Sequence, residues 1–488
     1  MKIQRSIGLD KRAFVFSMAL SMALAVSVWA QQTGGGGAPA GAMPPGGGPG
    51  ASPGGGPDEA RNAEYHPAIY IEDGVYAKDK SVSAALSGGK VANDSASGVK
   101  IVSKEDKANG VYVTGAKSVF TLSDSTIDLR GNGVNHADNF GVGAGAVVAG
   151  GATLILKNVK ITTAGLGSSA ATSTGGATLK VYDSTLIAHG GVLPPGSPAQ
   201  GSGPTAWGPP LALRVSGNAR ATNVTGSAKA YYYNSTIIAD GWGALSTDAG
   251  AELLEANDCN IQALANAYGT YADGGIKVVI NNSKMKTATY LGIAAGSGDI
   301  TLNGIDGTSK YGVMMHVIGN NPNEVGELHI KGGKFNTETA VVYLKSASPD
   351  VVIDGAELNP KDGVLIESVV NDDGNAAKVA AGQKARAINI TLKNMKLVGA
   401  IKHGDPDRDM DVALEATTLK GPVQLATLSF GEGAKWTATA DSKVTLRGAM
   451  SVDQIDAPAG VAIAATAGKD CPLKGTYKLP SGGVLNVS

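Results

Sequence analysis

An acid, an imidazole and a second acid recur at one position of a short Gly-led phrase. Asp273 ends Gly269-Thr-Tyr-Ala-Asp, His316 ends Gly312-Val-Met-Met-His and Glu367 ends Gly363-Val-Leu-Ile-Glu, with Gly296 at the same place between the first two. Such groups on one face suit general acid–base work on a polysaccharide. If each phrase is one strand of a stacked coil, two coils separate each neighbour by about 10 Å. Carboxyl pairs that cleave glycosides stand roughly 5–9.5 Å apart. The three are therefore expected to be neighbours on a surface and to fall short of a catalytic pair.

Asp372 and Asp373 follow in Val369-Val-Asn-Asp-Asp-Gly-Asn375. Adjacent carboxylates can hold Ca²⁺ or act in hydrolysis, while Asn, Asp and Gly are also ordinary turn formers. Between Lys402 and Asp411, acids alternate at Asp405, Asp407, Asp409 and Asp411. Hard cations want several such oxygens, but Met410 stands where a helix–loop–helix calcium loop needs Gly. Weak or no Ca²⁺ binding is the expectation, and no other cofactor is implied.

Trp207, Tyr231-Tyr232-Tyr233, Trp242, Tyr268 and Tyr271 are the densest group of large aromatics. Aromatic faces stack on sugars or contact a partner, and they equally close a core. Trp207, Tyr232, Trp242, Tyr268 and Tyr271 are the preferred ligand-binding candidates, beside the insertion Gly190–Pro210. His189 and His403 each adjoin a Gly, with no further ligand at metal-like spacing, so no metal site is expected. No nucleophile elbow, phosphate loop or dinucleotide fingerprint occurs.

The elements that must position these residues show in a second phrase: alternating apolar residues, a small polar break, then a short apolar run. Ser118–Leu129, Ala152–Thr163, Ala177–Ala188, Ile276–Ala288 and Ala387–Ala400 are examples. The first apolar residue after each break is Ile127, Ile161, Leu186, Ile237, Ile261, Met285, Ile305, Phe335, Leu358, Leu397 and Leu419. The steps between them are 34, 25, 51, 24, 24, 20, 30, 23, 39 and 22, and such a period signals a solenoid. A unit of two or three short strands cannot bury its apolar side alone, whereas stacked copies share a continuous core. Helix is expected to be nearly absent, with Ala376–Arg386 the best exception and more in keeping with a loop insertion.

The two phrases together resemble the right-handed parallel β-helix proteins, the pectin-lyase-like superfamily and its adhesin-like members, over roughly Ala68 to Val452. The resemblance implies an all-β, single right-handed parallel β-helix of about 20–30 residues per coil. Polygalacturonase-like relatives cleave with several Asp residues at strand ends, next to Asn-Thr-Asp and Arg-Ile-Lys segments. Neither segment occurs in this chain.

Residues 1–30 read as a signal peptide: Lys2, Arg5, Lys11 and Arg12 precede an uncharged run from Ala13 to Trp29. Residues 31–57 form a Gly/Pro/Ala-rich tether, and residues 58–488 the β-helix domain, with strands of about 436–488 as its cap. No integral membrane segment is expected after cleavage, and a secreted, periplasmic or cell-envelope location follows. The formal charge of −1 becomes −4 without the first thirty residues, which argues against nucleic acid as a partner. Cys259 and Cys471 are expected as two separate thiols, since many coils would lie between them.

The expected function is that of a secreted surface or binding protein, adhesin-like or envelope-associated, with a polysaccharide or cell-surface ligand and without catalysis. The alternative is a polysaccharide lyase or glycoside hydrolase of pectin-lyase-like type.

Overall fold

The computed structural model describes residues 64–134, 140–197, 207–248, 250–317, 321–372 and 376–488. The signal-peptide and tether segments and Asp373 lie outside them. Each full coil carries three short strands, which stack on their equivalents into three parallel ladders. The first stack contains Trp242–Thr247, Ala267–Ala272, Tyr290–Ala295 and Tyr311–His316. The second contains Leu253–Asn257, Lys277–Asn281, Asp299–Asn303 and Glu327–Lys331. The third contains Asn260–Ala263, Lys284–Thr287, Asp306–Ser309 and Lys334–Thr337. The chain is a parallel β-solenoid, with the first two stacks joined into one 31-stranded sheet.

The polar break of the repeated phrase is the bend between the second and third strands. Asn158, Asp183, Asn234, Asp258 and Asn282 all have φ between 45° and 54° there. Asn and Asp enter this left-handed region more cheaply than other side chains, because a short polar group can bond locally. The next residue links coil to coil: the Val159 N–H donates to Ser184 Oγ (3.0 Å), that of Ser184 to Ser235 Oγ (3.1 Å) and that of Cys259 to Ser283 Oγ (3.0 Å). Cys259 thus occupies a rung of a hydroxyl ladder, and burial pushes its thiol up to about 11. Both cysteines are free.

The inward residues form apolar rows such as Ile127, Ile161, Leu186, Ile237, Ile261 and Met285. The row continues through Gly307 to Phe335, not through Ile305. Ile305 sits at the bend opposite Ser283, and a Cβ on Gly307 would stand 2.7 Å from Leu291 Cδ1. The missing volume at Gly307 is taken by its larger neighbours in the same core.

Both ends are closed by antiparallel pairing. Val75–Tyr76 folds back on His66–Glu72, and Gly475–Lys478 pairs antiparallel with Val484–Val487, which limits open strand edges. Near the C-terminal end the coil tightens: the eight-residue strand Val423–Phe430 pairs first with Ile401 and then with Asp411–Leu414, replacing two strands and a corner. Residues 376–387 are an irregular insertion without helix. Among the described residues no helix is long and apolar enough to cross a membrane.

Candidate functional site

The outer face of the first stack carries an apolar cluster separate from the solenoid core. Tyr268, Tyr271, Tyr290, Ile293 and Met314 pack there under Leu213 and Val215, with Trp242, Tyr311 and Tyr343 half-buried at its edge. Leu213 and Val215 belong to the segment that follows the long insertion. It is anchored by the Ser216 N–H to Asn266 O (2.8 Å) and by the Trp242 N–H to Ser216 O (2.7 Å). The aromatics expected to meet a ligand therefore divide. Tyr268 and Tyr271 are buried under this strap, Tyr232 points into the solenoid core and is fully buried, and Trp207 is half-buried against Gly167. Trp242 stays half-buried, and Tyr311 and Tyr343, which stand apart from the dense aromatic group in the sequence, are partly open beside it.

Register decides which polar groups meet. Gly292 pairs with Val313, so the Gly-led phrases are offset by one residue between these coils. One row runs Asp273, Ala295, His316, Lys345, and the other runs Tyr271, Ile293, Met314, Tyr343, Glu367, Lys402. Asp273 and His316 share a row with Ala295, not Gly296, between them. Glu367 lies in the tyrosine row and does not join them.

Asp273 has a different partner. Extending the Ser246–Tyr271 pairing by two residues places Asp248 opposite it in the adjacent coil. Tyr271 Oη donates to Asp273 Oδ1 (3.3 Å), and the buried Arg220 guanidinium holds Asp248 Oδ2 at 2.9 Å while lying 4.6 Å above the Trp242 ring. Burial raises the Asp273 carboxyl to about 7, helped by the Asp248 charge and a hydrogen bond between the two acids. Asp273 therefore holds its proton far more strongly than an ordinary aspartate.

Gly243 makes the arrangement possible. A Cβ there would lie 1.9 Å from the Tyr268 ring, whose hydroxyl meets Ser246 Oγ at 3.0 Å. The ring is fully buried and has no free space to swing into. Gly243→Ala is expected to cost about 1–3 kcal/mol by overpacking, read as a lowered urea midpoint with unchanged slope.

Asp372 acts as a tie. It bonds Lys345 Nζ (3.0 Å) through one oxygen and Arg214 through the other, fastening the strap to the solenoid. A carboxylate held by two cations is a poor base. The acids between Lys402 and Asp411 also turn to separate cations: Asp405 to Arg408, Asp409 to Lys384 and Asp411 to Arg447. They do not converge on a common centre. His403 Nε2 meets Arg408 O at 2.9 Å, and His189 Nδ1 meets Asp240 Oδ2 at 2.6 Å. The structure does bring together a set that spacing did not reveal: Asp299, Glu327 and His329 on neighbouring second-stack strands.

Compared with family models, curated proteins and solved structures, the chain matches none. Fold and face define a parallel β-solenoid with a strapped aromatic surface.

Proposed function

We infer that this is a secreted or envelope-associated solenoid of the adhesin-like, pectin-lyase-like kind, binding a polysaccharide or other cell-surface ligand along its first-stack face without turning it over. The observation that carries this reading is the row Tyr343, Glu367, Lys402 beside Tyr311. The rings of Tyr311 and Tyr343 are 5.0 Å apart at coil spacing, both half-buried, and they give way to an acid and a base on the same line. Such a strip offers apolar faces for sugar rings and polar groups for their hydroxyls.

The test is incubation with a panel of acidic and neutral polysaccharides, following both retention and new reducing or unsaturated ends. At least one polysaccharide is expected to be retained, with retention about tenfold weaker in Tyr343→Ala, equivalent to roughly 1.4 kcal/mol, and no product. Failure to retain any member of the panel refutes the reading.

The Asp248–Asp273 pair supports the second reading, a lyase or hydrolase, because an acid raised to about 7 stands beside a second acid near Tyr271 and Trp242. Its carboxyls are in hydrogen-bond contact, closer than the roughly 5–9.5 Å that glycoside cleavage uses. Product that accumulates with the unaltered protein and disappears in Asp273→Asn would establish that reading instead.

A further inference from the structure

The outer row of the second stack runs Lys277, Asp299, Glu327, Asp350, one residue per coil. Carboxylates directly opposite on adjacent strands repel. Along this row the later acids have their own guanidinium: Arg386 grips Asp350 with two bonds of 2.7 and 2.9 Å, and Arg447 holds Asp411 at 2.7 Å. Asp299 and Glu327 have no guanidinium among the described residues; the Lys277 ammonium, next in the row, acts on Asp299 only through space. His329, two residues beyond Glu327 on the same strand, turns its Nε2 to Glu327 Oε2 at 3.2 Å. One donor atom from each of Asp299, Glu327 and His329 lies within 4.8 Å of the other two.

A second observation is independent of that convergence. Asp299 is only partly buried, but its Oδ1 is shut off from solvent and has no hydrogen-bond partner among the described residues. A buried acceptor left unpaired costs about 1–3 kcal/mol, and an ordered water or an ion is what relieves it.

We propose that Asp299, Glu327 and His329 form a binding site for a divalent transition-metal cation, with zinc the best-fitting probe. Two carboxylate oxygens and one imidazole nitrogen are borderline donors suited to zinc, which binds each at about 2.0–2.2 Å and leaves a fourth position for water. Binding would draw the donors to a common centre by rotation of the half-exposed Glu327 and His329 side chains. Calcium prefers six to eight oxygens and gains little from an imidazole. The cation would remove the repulsion between Asp299 and Glu327 and supply the partner that Asp299 Oδ1 lacks. It would also pin two successive coils.

The experiment is calorimetric titration of the untagged protein with ZnCl₂, and in parallel with CaCl₂. One equivalent of zinc per chain is expected. Asp299→Asn and His329→Gln should each weaken it at least tenfold with unchanged far-UV circular dichroism. His189→Gln, which removes an imidazole facing the single carboxylate of Asp240, should leave the zinc affinity unchanged. Absence of saturable zinc binding overturns the proposal, as does binding that survives Asp299→Asn and His329→Gln or is abolished by His189→Gln. Calcium bound as tightly as zinc, and equally well by His329→Gln, would show an oxygen-only site and overturn it too.

Discussion

Replacing Arg408 with Ala is expected to destabilise the protein by about 3–5 kcal/mol. Its side chain is 1% exposed and that of its partner Asp405 is fully enclosed. The guanidinium donates to Asp405 Oδ2 (2.9 Å), Ser348 Oγ (3.0 Å) and Pro322 O (3.0 Å), so one side chain ties three separate coil corners. Removing it leaves a carboxylate buried without a counter-charge and frees the ends of those loops together. Arg408→Lys is expected to recover only part of the loss, because an ammonium cannot present a planar fork to three acceptors. Asp405→Ala combined with Arg408→Ala should cost less than Arg408→Ala alone, since no charge is then stranded. Urea midpoints of the four proteins check this. Equal midpoints for the unaltered chain and Arg408→Ala would mean that the corner is solvated and the pair is irrelevant.

The second large effect is a dependence of stability on pH set by the strapped aromatic face. Asp273 moves from its ordinary 3.8 to about 7 on folding, through burial first and the Asp248 charge second. Between those values the folded chain keeps a proton that the unfolded chain has released. Stability therefore falls as pH rises from about 4 to about 7 and levels off above, and the span is roughly 2–4 kcal/mol. Asp273→Asn is expected to flatten the profile: less stable than the unaltered protein near pH 4, more stable at pH 8. Urea unfolding at pH 4, 5, 6, 7 and 8 measures it, and a profile that Asp273→Asn leaves unchanged would reject the raised Asp273 carboxyl.

The ties that define this face were only partly readable in the chain. Asp273 stands out in the sequence as the acid that ends a Gly-led phrase, but its partner Asp248 lies one coil away, and nothing local marks it. Glu367 was grouped with Asp273 by counting from each Gly. Two one-residue offsets, between the strands of His316 and Lys345 and between those of Leu344 and Ser368, undo that count and leave Glu367 two residues along, on the same face but in the tyrosine row. Tyr232 and Tyr231 are neighbours in the chain and point to opposite sides of their strand, one into the core and one outward. The strap of Leu213 and Val215 follows an insertion, and a loop's landing place depends on surfaces that it meets only after folding.

The sequence alone determined the parallel solenoid, its bends and its repeating core. Those follow from local chemistry repeated coil after coil: alternation buries one side of each strand, and Asn or Asp enters the left-handed bend at little cost. The tertiary structure alone decided which acids meet, which cations tie the insertions, and which tyrosines stay open. Contacts between coils depend on exact register and on where insertions return. Both are set by the sum of many small packing energies, which no single phrase contains.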